Sequence, residues 1–404
     1  MKTEDLLIDT LRDRAAGTDT PAPSMAEVTA RAHRVRAGRR RTTVVAAAAA
    51  VAAIAVPGAL WLGRAPGSSS GPSSDPSPST SGPTSSPSAT ASGLAALPRG
   101  PEPGIAYLVD DTFVSIDGVQ VTGPWTGSAT TAIPVSTGTL IATPRPDSTA
   151  GLVHLMLAQP SHATSLGCGS GRFAMSTDGV ESAYWLSNAC ASPDAGGKLF
   201  SGAANTMGES GPGYVVTPAG HLIEPVGILS QGTVVNDHAG AAEQARIFGR
   251  DGTVAPVSAL AGAGGSDENR DVVSGQLESD TGTGAIVDVA TGAVKVRVPG
   301  WQLGQFSDDG RYVLGDQPRK GPVPDGHAIF DASTGDKVAE LTFPDAGVTL
   351  GQLAWDVDGT VLAVGEEGHS SAILRFGLDG HLTRATPVFT SSGGALGYRL
   401  ATRP

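Results

Sequence analysis

The sequence predicts an all-β fold, a seven-bladed β-propeller, tethered to one N-terminal transmembrane helix by a disordered linker. Three observations lead there. Short apolar runs broken by Asp-Gly and Thr-Gly turns fill residues 104–404. A serine- and proline-rich stretch with almost no large apolar side chain precedes them. Before that, residues 42–62, TTVVAAAAAVAAIAVPGALWL, carry no charge and directly follow a cluster of arginines.

The charge is distributed unevenly along the 404 residues. The formal net charge is −12, yet residues 1–41 hold nine basic groups against six acidic ones. The acidity therefore belongs to the remainder. Nucleic-acid binding needs a basic face to neutralise phosphates, and this balance excludes it as an expectation. An acidic outer part suits solubility, cations or basic partners. The 55 glycines and 29 prolines do not signal disorder throughout. Much of the proline sits in one segment, while many glycines punctuate apolar runs, as in a turn-rich β domain.

Residues 1–41 read as a short basic cytoplasmic segment with helical stretches. Leu7, Ile8, Leu11 and Ala15 share one helical face. Ser24 and Glu27 form a capping box ahead of Met25, Val28, Ala32 and Val35. Arg31, Arg34, Arg36, Arg39, Arg40 and Arg41 follow, with no acid among them. Their expected role is to stop translocation and bind anionic headgroups; a docking surface for a cytoplasmic partner is the sharper alternative. As a helix, residues 42–62 would rise about 31 Å, a bilayer core. Val44, Val45, Val51, Ile54, Val56, Leu60 and Leu62 supply its hydrophobicity, and Trp61 falls at the expected interface. The arginines precede the span, so the N-terminus is expected in the cytoplasm and the C-terminal domain outside the cell membrane. A cleaved signal peptide is the rival reading, but its basic leader would be unusually long and no clear A-x-A site follows.

Residues 63–103 form the expected linker, with nine prolines and twelve serines. Such a chain has no core to fold around. Extended, it would reach on the order of 120 Å at about 3.1 Å per residue.

From Gly104 onward the chain resolves into paired runs. QLGQFSDDGRYVLGDQ (302–317) predicts a hairpin around Asp309-Gly310, and HAIFDASTGDKVAELTF (327–343) one around Thr334-Gly335. GQLAWDVDGTVLAVGEE (351–367) turns at Asp358-Gly359, and AILRFGLDGHLTRATPVF (372–389) at Asp379-Gly380. Tight hairpins need the positive φ that these glycines supply. Two hairpins make a four-stranded unit. Earlier units are expected at 224–237 with 245–260, 270–280 with 284–299, 172–187 with 213–226, and 131–144 with 151–160. GIAYLV, TFVSID and GVQVTG (104–123) then lack a fourth strand, and ALGYRLAT (395–402) lacks three. Joining them closes a seventh unit; about 43 residues per unit suits propeller blades. A count of six or eight also fits this spacing.

FSDDGRYVLG, WDVDGTVLAVG and IFDASTGDKVAEL resemble the blade motifs of WD-repeat and TolB-like propellers. The whole layout resembles bacterial single-pass membrane proteins that carry such a propeller outside the membrane. The likeness covers residues 104–404 and implies a fold rather than a chemistry. Layouts with a short arginine-rich cytoplasmic arm also resemble partners of extracytoplasmic-function sigma factors. Residues 1–41 lack the two cysteines of the zinc-binding kind.

Cys168 and Cys190, both on the outer side and 22 residues apart, predict a disulfide. The histidines His33, His154, His162, His221, His238, His327, His369 and His381 are scattered without ligand spacing, so no metal is expected. Asp356-Val-Asp358-Gly359 echoes the start of a calcium loop but lacks its later glutamate, and a hairpin turn explains it. No nucleophile elbow, Walker loop or Rossmann glycine pattern occurs, and no cofactor is expected.

Two functions follow as expectations. The first is a non-catalytic binding or sensing propeller on a stalk, facing an envelope protein or ligand and regulating through residues 1–41. The second is an envelope hydrolase acting on glycan or peptide, with Asp237, Asp271 or Asp316 near the channel as acid and base.

Overall fold

The computed structural model describes residues 93–401 apart from short loop stretches, the longest being 123–129, 145–151, 204–213, 319–325 and 392–396. The span at 42–62, Arg39, Arg40, Arg41, Trp61 and most of the linker lie outside the described residues. Among the described residues no helix is long and apolar enough to cross a membrane. The chain divides into Met1–Thr84 and Ser85–Pro404, and the described residues all belong to the second unit.

That unit is nearly all strand. β1 (Tyr107–Val109), β2 (Thr112–Val114) and β3 (Gln120–Thr122) are followed by a long run of seven. These are β4 (Thr131–Val135), β5 (Gly138–Pro144), β6 (Val153–Gln159), β7 (His162–Met175), β8 (Glu181–Ser187), β9 (Gly197–Ala203) and β10 (Tyr214–Thr217). Next come β11 (His221–Leu229), β12 (Gly232–Ala239), β13 (Ala242–Gly249) and β14 (Val254–Pro256). β15 (Leu260–Asp267), β16 (Val272–Leu277), β17 (Thr283–Asp288) and β18 (Val294–Pro299) repeat the pattern. So do β19 (Gln302–Phe306), β20 (Tyr312–Asp316), β21 (His327–Asp331) and β22 (Lys337–Leu341). The chain ends with β23 (Thr349–Trp355), β24 (Val361–Glu367), β25 (Ser370–Phe376), β26 (Leu382–Arg384), β27 (Phe389–Thr390) and β28 (Tyr398–Leu400).

The strands pair as a β-propeller. β11–β14, β15–β18, β19–β22 and β23–β26 are four consecutive antiparallel blades, and β28-β1-β2-β3 is a fifth that joins the first three strands to the last. The seven expected blades are not resolved as seven sheets, because β4 to β10 hydrogen-bond as one. The physical reason is β7. Its first half pairs with β6 and its second half with β8, with a register shift between Gly169 and Phe173. One 14-residue strand thereby bridges what the sequence reading treated as two units.

The Asp-Gly turns fall where the sequence placed them. Gly310 and Gly359 take φ of 69° and 81° in the β19–β20 and β23–β24 hairpins. The stretch 213–226 is a correction. It is not a hairpin: β10 pairs with β9, β11 pairs with β12, and Pro218–Gly220 carries the chain between two sheets. A blade-to-blade crossover and a hairpin share the same apolar–turn–apolar pattern.

β15, LAGAGGSD, is a strand that the sequence reading did not assign. A Cβ on Gly264 would lie 2.1 Å from the carbonyl oxygen of Leu303 on β19. Inner strands of neighbouring blades converge so closely there that only backbone fits, and a strand without branched side chains gives no β signal. Middle strands are instead buried on both faces, as in β21, whereas β18 alternates exposed and buried. Apolar clusters fill the seams between blades. Val272, Ile286, Val296 and Val298 of one blade pack with Leu303, Val313, Ala328 and Phe330 of the next.

Residues 93–104 form a strap on the β23–β26 blade, all but Gly104 lying in what the sequence reading assigned to the linker. Leu94 is fully buried among Leu374, Trp355 and their neighbours. Arg384 on β26 donates its N–H to Pro98 and accepts from Gly100 N–H, both at 2.9 Å.

Candidate functional site

A cluster of titratable groups sits on the β11–β14 blade. Ile223 on β11 lies opposite Asp237 on β12, and His221 is two residues away on the same face. His221 Nδ1 meets Asp237 Oδ1 at 2.6 Å, and Arg246 Nε lies 3.1 Å from Oδ2. Asp237 is only 2% exposed, so its charge rests on these two partners. The carboxylate fixes the imidazole, a geometry that can serve general-base chemistry. Among the described residues, however, no nucleophilic side chain bonds to the other ring nitrogen.

The opposite face of the same blade carries a second group. Glu224 on β11 stands 3.6 Å from His238 Nε2 and 3.9 Å from Arg172 Nε, distances of ion pairs rather than hydrogen bonds. Burial pushes the Glu224 carboxyl up, but His238 and Arg172 outweigh it and hold it below the usual carboxylate range. His238 is raised, chiefly by Glu224, with burial opposing.

The three carboxylates singled out from sequence do not share a partner. Asp237 serves His221 and Arg246. Asp271 precedes β16 in the turn from β15 and accepts from Ser230 Oγ at 3.1 Å. Asp316 ends β20 and meets His327 Nδ1 at 2.6 Å. Asp237 lies toward the far end of its blade's second strand, while Asp271 stands before the start of the equivalent strand next door. The strand between the two ends spans about 20 Å. His327 is 4% exposed.

Asp356 and Asp358, the calcium-like pair, flank a guanidinium. Arg375 Nη2 is 2.5 Å from Asp356 and its Nη1 is 2.6 Å from Asp358. Among the described residues no three His, Cys, Asp or Glu side chains meet as metal ligands.

Cys168 on β7 and Cys190, in the loop after β8, form a disulfide. Sequence reasoning found this bond from the count of two. It missed the His221–Asp237–Arg246 group, although a histidine opening one strand and an aspartate late in the next was its available signal.

No family model matches the sequence, and no curated protein matches it. Among solved structures, the chain is similar to a functionally unknown protein from Desulfotomaculum acetoxidans DSM 771, at 11% identity and a TM-score of 0.43, covering 74% of this chain and 98% of that one. It is similar to a chain of the mitotic checkpoint complex, at 12% identity and 0.44, covering 79% and 90%. It is also similar to a putative 6-phosphogluconolactonase from Bacteroides fragilis NCTC 9343, at 14% identity and 0.41, covering 70% and 94%. With TM-scores below 0.5, the propeller assignment rests on the strand pairing and not on these likenesses.

Proposed function

We propose that the protein is a non-catalytic binding or sensing propeller, held outside a bilayer by a single span at residues 42–62. Residues 1–41 remain in the cytoplasm and dock a partner there, on the pattern of extracytoplasmic-function sigma factor regulation. The observation that carries the binding reading is the internal use of the candidate carboxylates. Asp237, Asp271 and Asp316 each hold a side chain of the protein itself, on three different strands or turns. Hydrolysis of a glycan needs two carboxyl groups about 5–10 Å apart across one bond, and their separate partners speak for binding.

We also read the ring as seven blades, with the seven-stranded sheet counting twice. What supports this is the order in which inner strands touch: β28 with β4, β4 with β7, β7 with β11, then β15, β19, β23 and back to β28.

Cross-linking in intact cells, followed by capture through the propeller, tests the proposal. A stable envelope partner or ligand is the expected catch, and turnover of a glycan or peptide by the purified chain would overturn the non-catalytic reading. Deleting residues 1–41 while keeping the span tests the cytoplasmic half, which fails if signalling is unchanged. A mature chain beginning near residue 65, by mass spectrometry, would overturn the anchor.

A further inference from the structure

We propose that residues 93–104 are a releasable clasp: the strap docks on the β23–β26 blade as a separate two-state element, and can leave it while the ring stays closed. Among the described residues, every hydrogen bond that anchors the strap goes to that one blade, while Arg99 and Glu102 act on Tyr107 and Tyr398 only through their charge. Leu94 donates its N–H to Glu367 Oε2 at 3.0 Å, on β24. Pro98 and Gly100 bond to Arg384 on β26, so the strap extends the blade's outer edge by one short parallel bridge. Glu102 C=O accepts from Arg375 Nη2 at 2.9 Å, on β25. Gly104 donates its N–H to Asp356 Oδ1 at 2.9 Å, at the end of β23. None of these partners lies on β1, β2, β3 or β28, and the β1–β28 pair closes the ring through three register pairs of its own. The two closures thus share chain but no bonds.

Docking is also specific in shape. A Cβ on Gly100 would lie 2.5 Å from Thr383 Oγ1, and one on Gly104 would lie 2.5 Å from Val357 Cγ2. A branched side chain at Gly100 therefore blocks docking and leaves the blade's own residues untouched. Pro98, Pro101 and Pro103 restrict the second half of the strap, which lowers the entropy lost on docking. Release would uncover the Leu94 seat and the β26 edge, and would free about 36 Å of chain from residue 93 to 104. If the propeller is tethered as proposed above, that release lengthens the tether; the docking itself does not depend on the tether.

Hydrogen exchange on the full chain, solubilised in detergent, tests this. In the wild type the amides of Leu94, Gly100, Gly104 and Arg384 are expected to be protected. In Gly100→Val they are expected to exchange at least tenfold faster, while β1 and β28 amides keep their protection. A synthetic peptide of residues 93–104 added to Gly100→Val is expected to restore protection at Arg384, whose N–H otherwise lacks its Pro98 acceptor. Equal loss of protection in β1 and β28 would show strap and ring to be one cooperative unit and overturn the proposal. So would an unprotected strap in the wild type, or a peptide that leaves Arg384 exchange unchanged. All three outcomes are independent of whether residues 42–62 span a membrane.

Discussion

The side chain of Asn236 closes both backbone groups of Ala263 across a blade seam. Nδ2 donates to the Ala263 carbonyl at 3.0 Å, and Oδ1 accepts from its N–H at 2.7 Å. Asn236 is on β12 and Ala263 on β15, beside a register shift that takes Ala263 and Gly265 out of step with β16. A bulge leaves backbone groups without ladder partners, and the neighbouring amide supplies them. Similar stitches cross other seams. Ser274 Oγ donates to Gly304 O, and Trp355 Nε1 donates to Gln305 O at 3.1 Å.

Asn236→Ala should therefore cost more than a surface change. It leaves a buried N–H and C=O without partners, each worth about 1–3 kcal/mol. We expect a loss of about 3 kcal/mol by urea unfolding. Asn236→Asp should be no better than alanine, because a carboxylate cannot donate to Ala263 O. Full stability in either variant would refute the stitch.

Stability should depend on pH through Glu224 and His238. His238 is raised in the folded state, so its contribution is full below 6.5 and is lost as pH climbs through the raised value. Glu224 is lowered, so its contribution is present above 4.5 and is lost as pH falls through the depressed value. The pair is strongest between those limits. Both side chains are about a quarter exposed, so the effect should stay near 1 kcal/mol or less. His238→Gln is expected to flatten the alkaline loss in thermal melts between pH 6 and 8, and an unchanged slope would refute the pairing.

The hairpins were legible because their turns announce themselves chemically. Asp309-Gly310 and Asp358-Gly359 combine a positive-φ glycine with flanking apolar runs, and that pattern is local. β15 was not legible, since Gly264 and Gly265 answer to the backbone of β19, contacts 39 residues distant in sequence. The strap was hidden for a similar reason. GLAALPRGPEP continues a Pro-rich composition, and only the seat for Leu94 on another blade distinguishes it from linker. Of the candidate carboxylates, the sequence supplied the residues but not their partners: His221 and Asp237 are 16 residues apart and meet only through strand register.

The Cys168–Cys190 bond ties β7 to the loop beyond β8, across the part of β7 where pairing passes from one neighbour to the other. Replacing both cysteines with alanine should cost about 3 kcal/mol, the value expected for a loop of this length. The measurement is urea unfolding with and without reductant. The double variant should match the reduced wild type, and thiol labelling of the unreduced protein should find no free cysteine.

Arg375 and Asp356 offer the sharpest energetic test. Both are almost wholly buried, and Arg375 also reaches Asp358 and the Glu102 carbonyl. Arg375→Met removes the cation paired with a carboxylate that is 2% exposed, and breaking such a buried pair costs about 3–5 kcal/mol. Asp356→Asn strands the guanidinium in turn, though Asp358 still answers it, so its cost should be smaller. The double variant should cost less than the sum, because each single change already forfeits the same attraction. Additive costs in a double-mutant cycle would mean that the two side chains act independently, and that the short contact between them contributes nothing to holding the β23–β26 blade.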